Sequence, residues 1–239
     1  MAAPTAAGSV SGRTALIIGT GPGLSASLAR RCSAEGMQVA VAARDTAKLA
    51  DVCTDSGARA YRCDATVQGE VEALFDSVEA DLGTPHFVVY NPGARAHGPI
   101  TDIDPGDVER ALMVGCFGGF LVGQTAAKRL LPGRDGAIFF TGATASVKGY
   151  PHSAAFAMGK FGLRGLAQSM ARELAPQGIH VAHFVIDGQI RSDLRGRIDS
   201  GDDAYLDPDA IADTYWNVYR QHRSSWTWEV EVRPWVETF

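Results

Sequence analysis

The sequence predicts a doubly wound α/β fold, in which one parallel sheet of about seven strands carries helices on both faces. Two observations predict it. Short apolar runs rich in β-branched residues alternate with longer segments of helical period, and the connections between them are short. With 239 residues, 46% of them hydrophobic, the chain can bury one large core. We therefore expect a disordered tail over residues 1–12 and a single domain over residues 13–239.

The predicted strands and helices alternate along the whole chain. The strands span residues 14–18, 38–42, 59–63, 87–90, 137–141, 180–186 and 229–232. The helices lie near residues 24–35, 47–55, 69–82, 105–131, 153–175 and 208–221. Right-handed crossovers place such units side by side, and ligands then bind beyond the carboxyl ends of the strands. The polar stretch 190–206 is rich in Gly and Asp and is predicted to be a mobile loop, a candidate lid.

Composition argues against several classes of protein. A net charge of -5 does not favour a nucleic-acid-binding surface. No apolar run approaches the roughly 18 residues of a membrane span, and the first residues have neither a basic nor an apolar leader pattern. The four cysteines lack C-x-x-C spacing and fall in predicted helices or strands, which favours buried thiols over metal ligands or disulfides: Cys32, Cys53, Cys63 and Cys116. We expect a cytoplasmic protein without a metal site and with neither nucleic-acid nor membrane partners.

A glycine-rich turn directly follows the first predicted strand. The sequence GTGPGLS at residues 19–25 places Gly19, Gly21 and Gly23 just before a helix that begins near Leu24. Glycine allows a positive φ and a close approach of backbone N–H groups to a pyrophosphate, and the helix start adds partial positive charge. A phosphate-binding turn is predicted, and an ordinary strand-to-helix turn is the alternative.

The end of the second strand indicates which nucleotide is bound. An acidic residue there would bind free ribose hydroxyls, whereas arginine suits a 2′-phosphate. Ala43 occupies the acidic position and Arg44 follows it, so NADP(H) is favoured over NAD(H). In the alternative interpretation, Arg44 is a solvated surface cation and Asp45 caps the next helix.

These motifs resemble those of the short-chain dehydrogenase/reductase family, which has a Rossmann-type fold. The family motif G-x-x-x-G-x-G is matched at Gly19 and Gly23, with Ser25 where the third glycine stands. Ser25 is expected to fit there with a slight shift that leaves the phosphate contact intact. The family motif Y-x-x-x-K corresponds to FAMGK at residues 156–160, and the resemblance covers about residues 14–194.

The resemblance implies further cofactor-binding residues. Asp64 corresponds to the carboxylate that takes the adenine amino group, although Asp64 or Thr66 could instead cap a helix. Asn91 corresponds to a residue that bridges neighbouring strands, and Gly93 to one that allows close approach of the cofactor. Ile190 falls in the stretch that lies beside the nicotinamide.

The resemblance also implies that three of four active-site positions depart from the family pattern. Phe156 stands at the position of the catalytic Tyr, Ala143 at that of the Ser and Gly115 at that of the Asn. Lys160 is retained, and its implied role is to hold the nicotinamide ribose; a solvated helix lysine is the alternative. Phenylalanine has no proton to give to a carbonyl oxygen, so the usual general acid is missing.

Two hypotheses of function follow. The first is an NADP(H)-dependent oxidoreductase that reduces a carbonyl group or an activated C=C bond of a small molecule and takes its proton from another group. Tyr150 and His152, in the loop before the Lys160 helix, are the best-placed donors; the others are Thr144, His97 and bound water. The second is a non-catalytic or regulatory dinucleotide-binding protein.

Two predicted helices also suggest assembly. Residues 105–131 and 153–175 carry more apolar and small side chains than one face of a sheet needs. In the family the corresponding helices pair between subunits. We therefore expect a homodimer or a homotetramer.

Overall fold

Seven parallel strands form one sheet in the computed structural model, which describes residues 10–198 and 201–237. The strands are β1 (Thr14–Ile18), β2 (Gln38–Ala43), β3 (Arg59–Arg62), β4 (Pro85–Tyr90), β5 (Ala137–Thr141), β6 (His180–Ile186) and β7 (Glu229–Val232). Their order across the sheet is β3-β2-β1-β4-β5-β6-β7. After β3 the chain returns to the other side of β1 and forms β4, so the strand order reverses between β1 and β4, and ligands bind in the crevice at this point in such folds. The predicted fold class is confirmed.

Helices cover both faces of this sheet. They are α1 (Leu24–Ala34), α2 (Ala50–Ser56), α3 (Gln68–Leu82), α4 (Pro105–Leu112), α5 (Gly118–Leu130), α6 (Ala154–Leu174) and α7 (Pro208–Tyr219). Successive residues of β1 enter different cores: Ala15 and Ile17 join the core with α1 and α7, whereas Leu16 and Ile18 join the core with α3, α5 and α6. A strand that is buried on both faces explains the continuous apolar runs of the sequence.

The helix predicted over residues 105–131 is found as one helical stretch, Pro105–Gly133, but it contains a π turn that was not predicted. A π turn over Met113–Phe117 separates α4 from α5. Gly115 lies so close to α6 that a Cβ atom on it would be 3.2 Å from the Cα atom of Gly159. Inside the turn the Val114 carbonyl accepts a hydrogen bond of 2.6 Å from the Tyr90 hydroxyl. The π turn is thus accompanied by a close backbone contact with α6 and by a hydrogen bond from a hydroxyl of β4. The apolar pattern of the sequence does not reveal this local change of helical period.

The expectation that no segment has the length and apolar character of a membrane span is wrong for this helical stretch. Counted through its π turn, the helical stretch Pro105–Gly133 is long and apolar enough, by length and composition alone, to cross a membrane. In its most apolar window 56% of the residues are buried inside the domain. The core helix of a soluble protein meets the same criterion, and this helix packs against α3 and α6.

The ends of the domain and the loop after β6 are described in part. Residues 1–9 of the predicted tail lie outside the described residues, but the Gly12 N–H donates to the Gly36 carbonyl at 2.9 Å. Val10 packs against the core, so residues 10–12 belong to the domain. Within the predicted loop 190–206, residue pairs Ile190–Leu206 and Ser192–Arg197 form isolated β-bridges, and residues 199–200 lie outside the described part.

The four cysteines are free thiols. Cys32 and Cys63 are buried, whereas Cys53 and Cys116 are half-buried. Burial raises the pKa of both the Cys32 and the Cys63 thiol to about 12. These two side chains therefore belong to the core as protonated thiols.

Candidate active site

The glycine turn lies at the carboxyl end of β1 and leads into α1. Gly19 has φ +82°, and a Cβ atom there would be 2.5 Å from the ring of Pro92, so only glycine fits. A Cβ atom on Gly21 or Gly23 would meet no atom within 4 Å, so the space beside them is open. Gly23 is the N-cap of α1 and provides no side-chain cap. The positive end of the α1 dipole thus faces open space that suits a pyrophosphate.

Ser25, which corresponds by resemblance to the third glycine of the family motif, forms two side-chain hydrogen bonds. It is 1% exposed, and its Oγ accepts a hydrogen bond of 2.6 Å from Asn91 Nδ2. The same hydroxyl lies 3.4 Å from the Gly19 carbonyl, to which it donates. The Asn91 backbone N–H donates to the Ile18 carbonyl at 2.9 Å, so Asn91 bridges β1 and β4. The serine therefore ties the glycine turn to the neighbouring strand.

The predicted adenosine side of the site contains Arg44 and Asp64. Asp64 accepts hydrogen bonds from the Thr66 N–H at 3.0 Å and the Thr66 hydroxyl at 2.7 Å. Burial opposes ionisation of Asp64, but the bonds from Thr66 and the nearby charges of Arg44 and Arg62 outweigh it and lower the pKa. Asp45 caps the short helix that follows β2, because its Oδ1 accepts the Ala47 N–H at 3.1 Å.

Arg44 is exposed, and within residues 10–198 and 201–237 it forms no ion pair. Its guanidinium lies near enough to Asp64 to affect the pKa of that carboxyl. A cation at the end of β2 that forms no ion pair with a described carboxylate can bind an anion from solution.

Lys160 is buried where β4 and β5 end. Its side chain is 4% exposed, and Nζ donates to the Thr141 carbonyl at 2.7 Å and to the Pro92 carbonyl at 3.3 Å. Burial, and then the charge of Arg95, lower the pKa of Lys160 to about 8. A Cβ atom on Gly93 would lie 3.8 Å from this ammonium. The interpretation of Lys160 as a solvated helix lysine is wrong.

Phe156 lies one helical turn before Lys160 and contacts Arg95, a residue that no sequence motif indicates. The Arg95 guanidinium carbon is 4.3 Å from the centre of the Phe156 ring, and Lys160 Nζ is 5.9 Å from it. Two cations therefore face one aromatic ring. Arg95 follows Gly93 by two residues in an irregular stretch, and its position beside a predicted motif was the only sequence signal.

Ala143 begins a short turn that is held by a buried polar chain. The Ser146 hydroxyl accepts the Ala143 N–H at 3.1 Å and contacts His183 Nε2 at 3.3 Å. His183 Nδ1 contacts Glu229 at 3.1 Å, and Arg164 binds the same carboxylate through two bonds of 2.6 and 2.7 Å. Burial outweighs the opposing effect of Glu229 and lowers the pKa of His183 to about 4.

A neutral His183 beside an ionised Glu229 fixes the proton positions in this chain. Nδ1–H donates to Glu229, and Nε2 accepts from Ser146. Each side chain of this hydrogen-bonded network then has a partner, so we assign the network a structural role in positioning the turn at Ala143. Its members come from distant segments, and no local pattern in the sequence predicts them.

The other predicted site residues lie in the loops around this region. Tyr150 is 50% exposed, and His152 has φ +62° with its ring 5.8 Å from that of His97. Within the described residues, no hydrogen bond joins Tyr150 or His152 to Lys160. Ile190 is half-buried just after β6, and Gly115 is buried against Gly159.

The sheet order, the glycine turn at β1 and the lysine buried beyond β5 define a nucleotide-binding protein of the Rossmann type. Residues 13–203 match the family described as short chain dehydrogenase. The chain therefore belongs to the short-chain dehydrogenase/reductase family of oxidoreductases.

Known relatives agree with this membership. Sorbitol-6-phosphate 2-dehydrogenase of Escherichia coli is 30% identical over 190 residues, which cover 76% of this chain and 73% of the relative. A short-chain dehydrogenase of Rhodopseudomonas palustris has a similar structure, with a TM-score of 0.82, 36% identity and coverage of 94% of this chain and 99% of that chain. A metagenomic short-chain oxidoreductase solved in complex with NADP has a TM-score of 0.83 at 27% identity, covering 95% and 99% of the two chains.

Proposed function

We propose that this protein is an NADP(H)-dependent oxidoreductase that reduces a carbonyl group or an activated C=C bond of a small molecule at a non-standard active site. The observation that carries the proposal is the position of Lys160. It is buried beside Gly93, at the same edge of the sheet as the open glycine turn. A lysine held there has a binding role that a core helix alone does not require. The bound nicotinamide supplies the hydride.

The residues of this chain fit the dinucleotide along the whole edge of the sheet. The open space beside Gly21 and Gly23 and the uncapped start of α1 suit the pyrophosphate. Arg44 is assigned to the 2′-phosphate and Asp64 to the adenine amino group. Lys160 Nζ is assigned to the ribose hydroxyls.

The proton must come from a group other than residue 156, because Phe156 has none to give. Tyr150 and His152 are the proposed donors from the loop before α6, and bound water is the third. Lys160 and Arg95 place positive charge around the Phe156 ring. Fixed charge of this sign stabilises an oxygen that becomes negative as hydride arrives at carbon. This arrangement supports reduction more than loss of function.

A second candidate function is non-catalytic dinucleotide binding, which Phe156, Ala143 and Gly115 favour. The two candidates differ in NADPH consumption. A panel of ketones, aldehydes and enoyl-CoA thioesters, followed at the absorbance of NADPH, separates them. Oxidation of NADPH that depends on one of these substrates supports the enzyme, and binding without turnover across the panel supports the second candidate.

The cofactor assignment is tested by the Arg44→Asp variant. A charge-assisted contact to the 2′-phosphate is worth about 1.5–3 kcal/mol, or roughly 10- to 150-fold in affinity. Calorimetry should show that the wild type binds NADPH more tightly than NADH and that Arg44→Asp abolishes or reverses this order. Arg172→Asp, an exposed arginine in the last turn of α6, is the matched control and should leave the order unchanged. A wild type that prefers NADH would refute the assignment.

A further inference from the structure

Arg95 lies beside Phe156, and two arginines of a separate segment, Arg195 and Arg197, lie near enough to Arg95 for their charges to lower its pKa. Arg95, in the stretch after β4, stacks on the Phe156 ring at 4.3 Å. Arg195 and Arg197 belong to the segment after β6. The backbone of Arg197 forms an isolated antiparallel β-bridge with Ser192, and its Nη1 donates to the Ile190 carbonyl at 3.4 Å. The two segments follow β4 and β6, which run parallel in the sheet, so both begin at its carboxyl edge, where ligands bind in this fold.

The electrostatics of this cluster are unfavourable without an anion. Burial lowers the pKa of Arg95, and the neighbouring charges of Arg197 and then Arg195 lower it further. Lys160 adds a fourth positive group, since Arg95 also depresses its pKa. Within the described residues, none of the three arginines forms an ion pair with a carboxylate. Cations held together in a chain of net charge -5 create a local positive field that an anionic ligand would offset.

We propose that Arg95, Arg195 and Arg197 form a binding site for an anionic group of the substrate, a carboxylate or a phosphate. This inference rests on the proposed function, because it places the reacting carbon beside Phe156. Guanidinium groups bind planar oxyanions through paired hydrogen bonds, and stacking on an aromatic ring pre-orients Arg95 for such a contact. The substrate is favoured over the cofactor as the source of the anion, because the proposed function assigns the cofactor phosphates to Arg44 and the glycine turn.

The test measures binding of small anions to protein saturated with NADP⁺, so that the glycine turn is occupied and the ketone probes are not reduced during the titration. The probes are inorganic phosphate, acetoacetate and methyl acetoacetate, the methyl ester of the same acid, which lacks the negative charge. Calorimetry compares the wild type with Arg95→Gln, with the double variant Arg195→Gln and Arg197→Gln, and with Arg172→Gln as the matched control. Loss of a charge-assisted contact should weaken phosphate and acetoacetate binding about tenfold or more in the first two variants.

The expected result is binding of both anions but not of the ester to the wild type, with Arg172→Gln unchanged. Equal binding of acetoacetate and its ester, or anion binding that survives both variants, would overturn the proposal. If Arg95→Gln weakens NADPH in a titration without other ligands, the anion belongs to the cofactor and the substrate assignment is wrong. If the wild type binds no dinucleotide, the proposed function fails; the phosphate titration of the same sample then decides separately whether the arginines form an anion site.

Discussion

At the level of single residues, Lys160 shows how burial changes the chemistry of a side chain. Its ammonium donates to two carbonyl groups beyond β4 and β5, and almost none of it reaches solvent. Two carbonyl bonds do not replace full hydration, so the charged form is disfavoured. The lysine is therefore held ready for a ligand at some cost to the stability of the unliganded domain.

This cost predicts a pH dependence of stability. The pKa of Lys160 falls from 10.5 to about 8 on folding, so folding favours the neutral amine. A depressed pKa contributes stability that is present above the unfolded value and is lost as the pH falls through the folded value. Between pH 10.5 and 8, unliganded wild type should lose on the order of 3 kcal/mol relative to Lys160→Met. Urea unfolding of both proteins across this range measures the difference, and parallel curves would contradict the prediction.

Phe156 and Ala143 predict a gain of activity. Phe156→Tyr supplies a phenol and Ala143→Ser a hydroxyl partner for it. Lys160 and Arg95, both close to the Phe156 ring, would favour the phenolate and so make the phenol a better acid. We expect the double variant to reduce a generic ketone about 10²-fold faster than the wild type. Initial rates of NADPH oxidation measure this.

The same double variant bears on the proton source in the wild type. If the wild type already turns over a substrate and Phe156→Tyr leaves the rate unchanged, the proton comes from another group, and Tyr150→Phe and His152→Ala become the decisive variants. A double variant that folds and binds NADPH but stays inactive with the whole substrate panel would mean that more than the acid is missing.

At the level of secondary structure, the π turn between α4 and α5 contains Gly115, which packs against α6. A Cβ atom on Gly115 would approach the Gly159 Cα atom at 3.2 Å, and one on Gly159 would approach the Gly115 Cα atom at 3.4 Å. The two backbones are in contact here, and a backbone atom cannot move aside as a flexible side chain can. Glycine at residue 115 therefore permits a close contact between the two helical segments that a larger side chain would disturb.

Restoring the family residue should therefore destabilise the protein. We expect Gly115→Asn to lower the free energy of unfolding by about 1–3 kcal/mol, the usual cost of overpacking. Gly165→Ala, also on α6, is the control, because a Cβ atom there meets no atom within 4 Å. It should raise stability by up to about 1 kcal/mol through helix propensity. Chemical unfolding of both variants tests this, and a Gly115→Asn protein as stable as the wild type would contradict the packing argument.

At the level of the whole molecule, an exposed apolar face predicts assembly. Two helical segments packed against each other carry four large exposed side chains: Phe117, Phe120, Met158 and Phe161. We expect a dimer or tetramer by light scattering at micromolar concentration, because burying this face removes apolar surface from water. The double variant Phe120→Glu and Phe161→Glu should dissociate it. Val67→Glu, at an exposed position before α3, should not. A monomeric wild type would refute the prediction.

The sequence by itself determined the sheet, the position of the glycine turn and the edge where the site lies. These features depend on local physics: β-branched runs favour strands, amphipathic periods favour helices, and a turn with positive φ requires glycine. The helix bounds were predicted to within a few residues, except where the π turn divides the long helix. The roles of Arg44 and Ile190 stay predictions of the same local kind.

Only the tertiary structure decided what surrounds Lys160 and Phe156. Arg95 on the Phe156 ring, the Gly115–Gly159 contact and the buried chain from Ser146 to Glu229 join segments that lie far apart along the sequence. Hydrogen bonding, burial and charge–charge interactions act over a few ångströms in space, so residue spacing along the chain does not reveal them. For this reason the sequence predicted where the site is, whereas the fold determined that Lys160 is buried and that Arg95 lies with it beside the Phe156 ring.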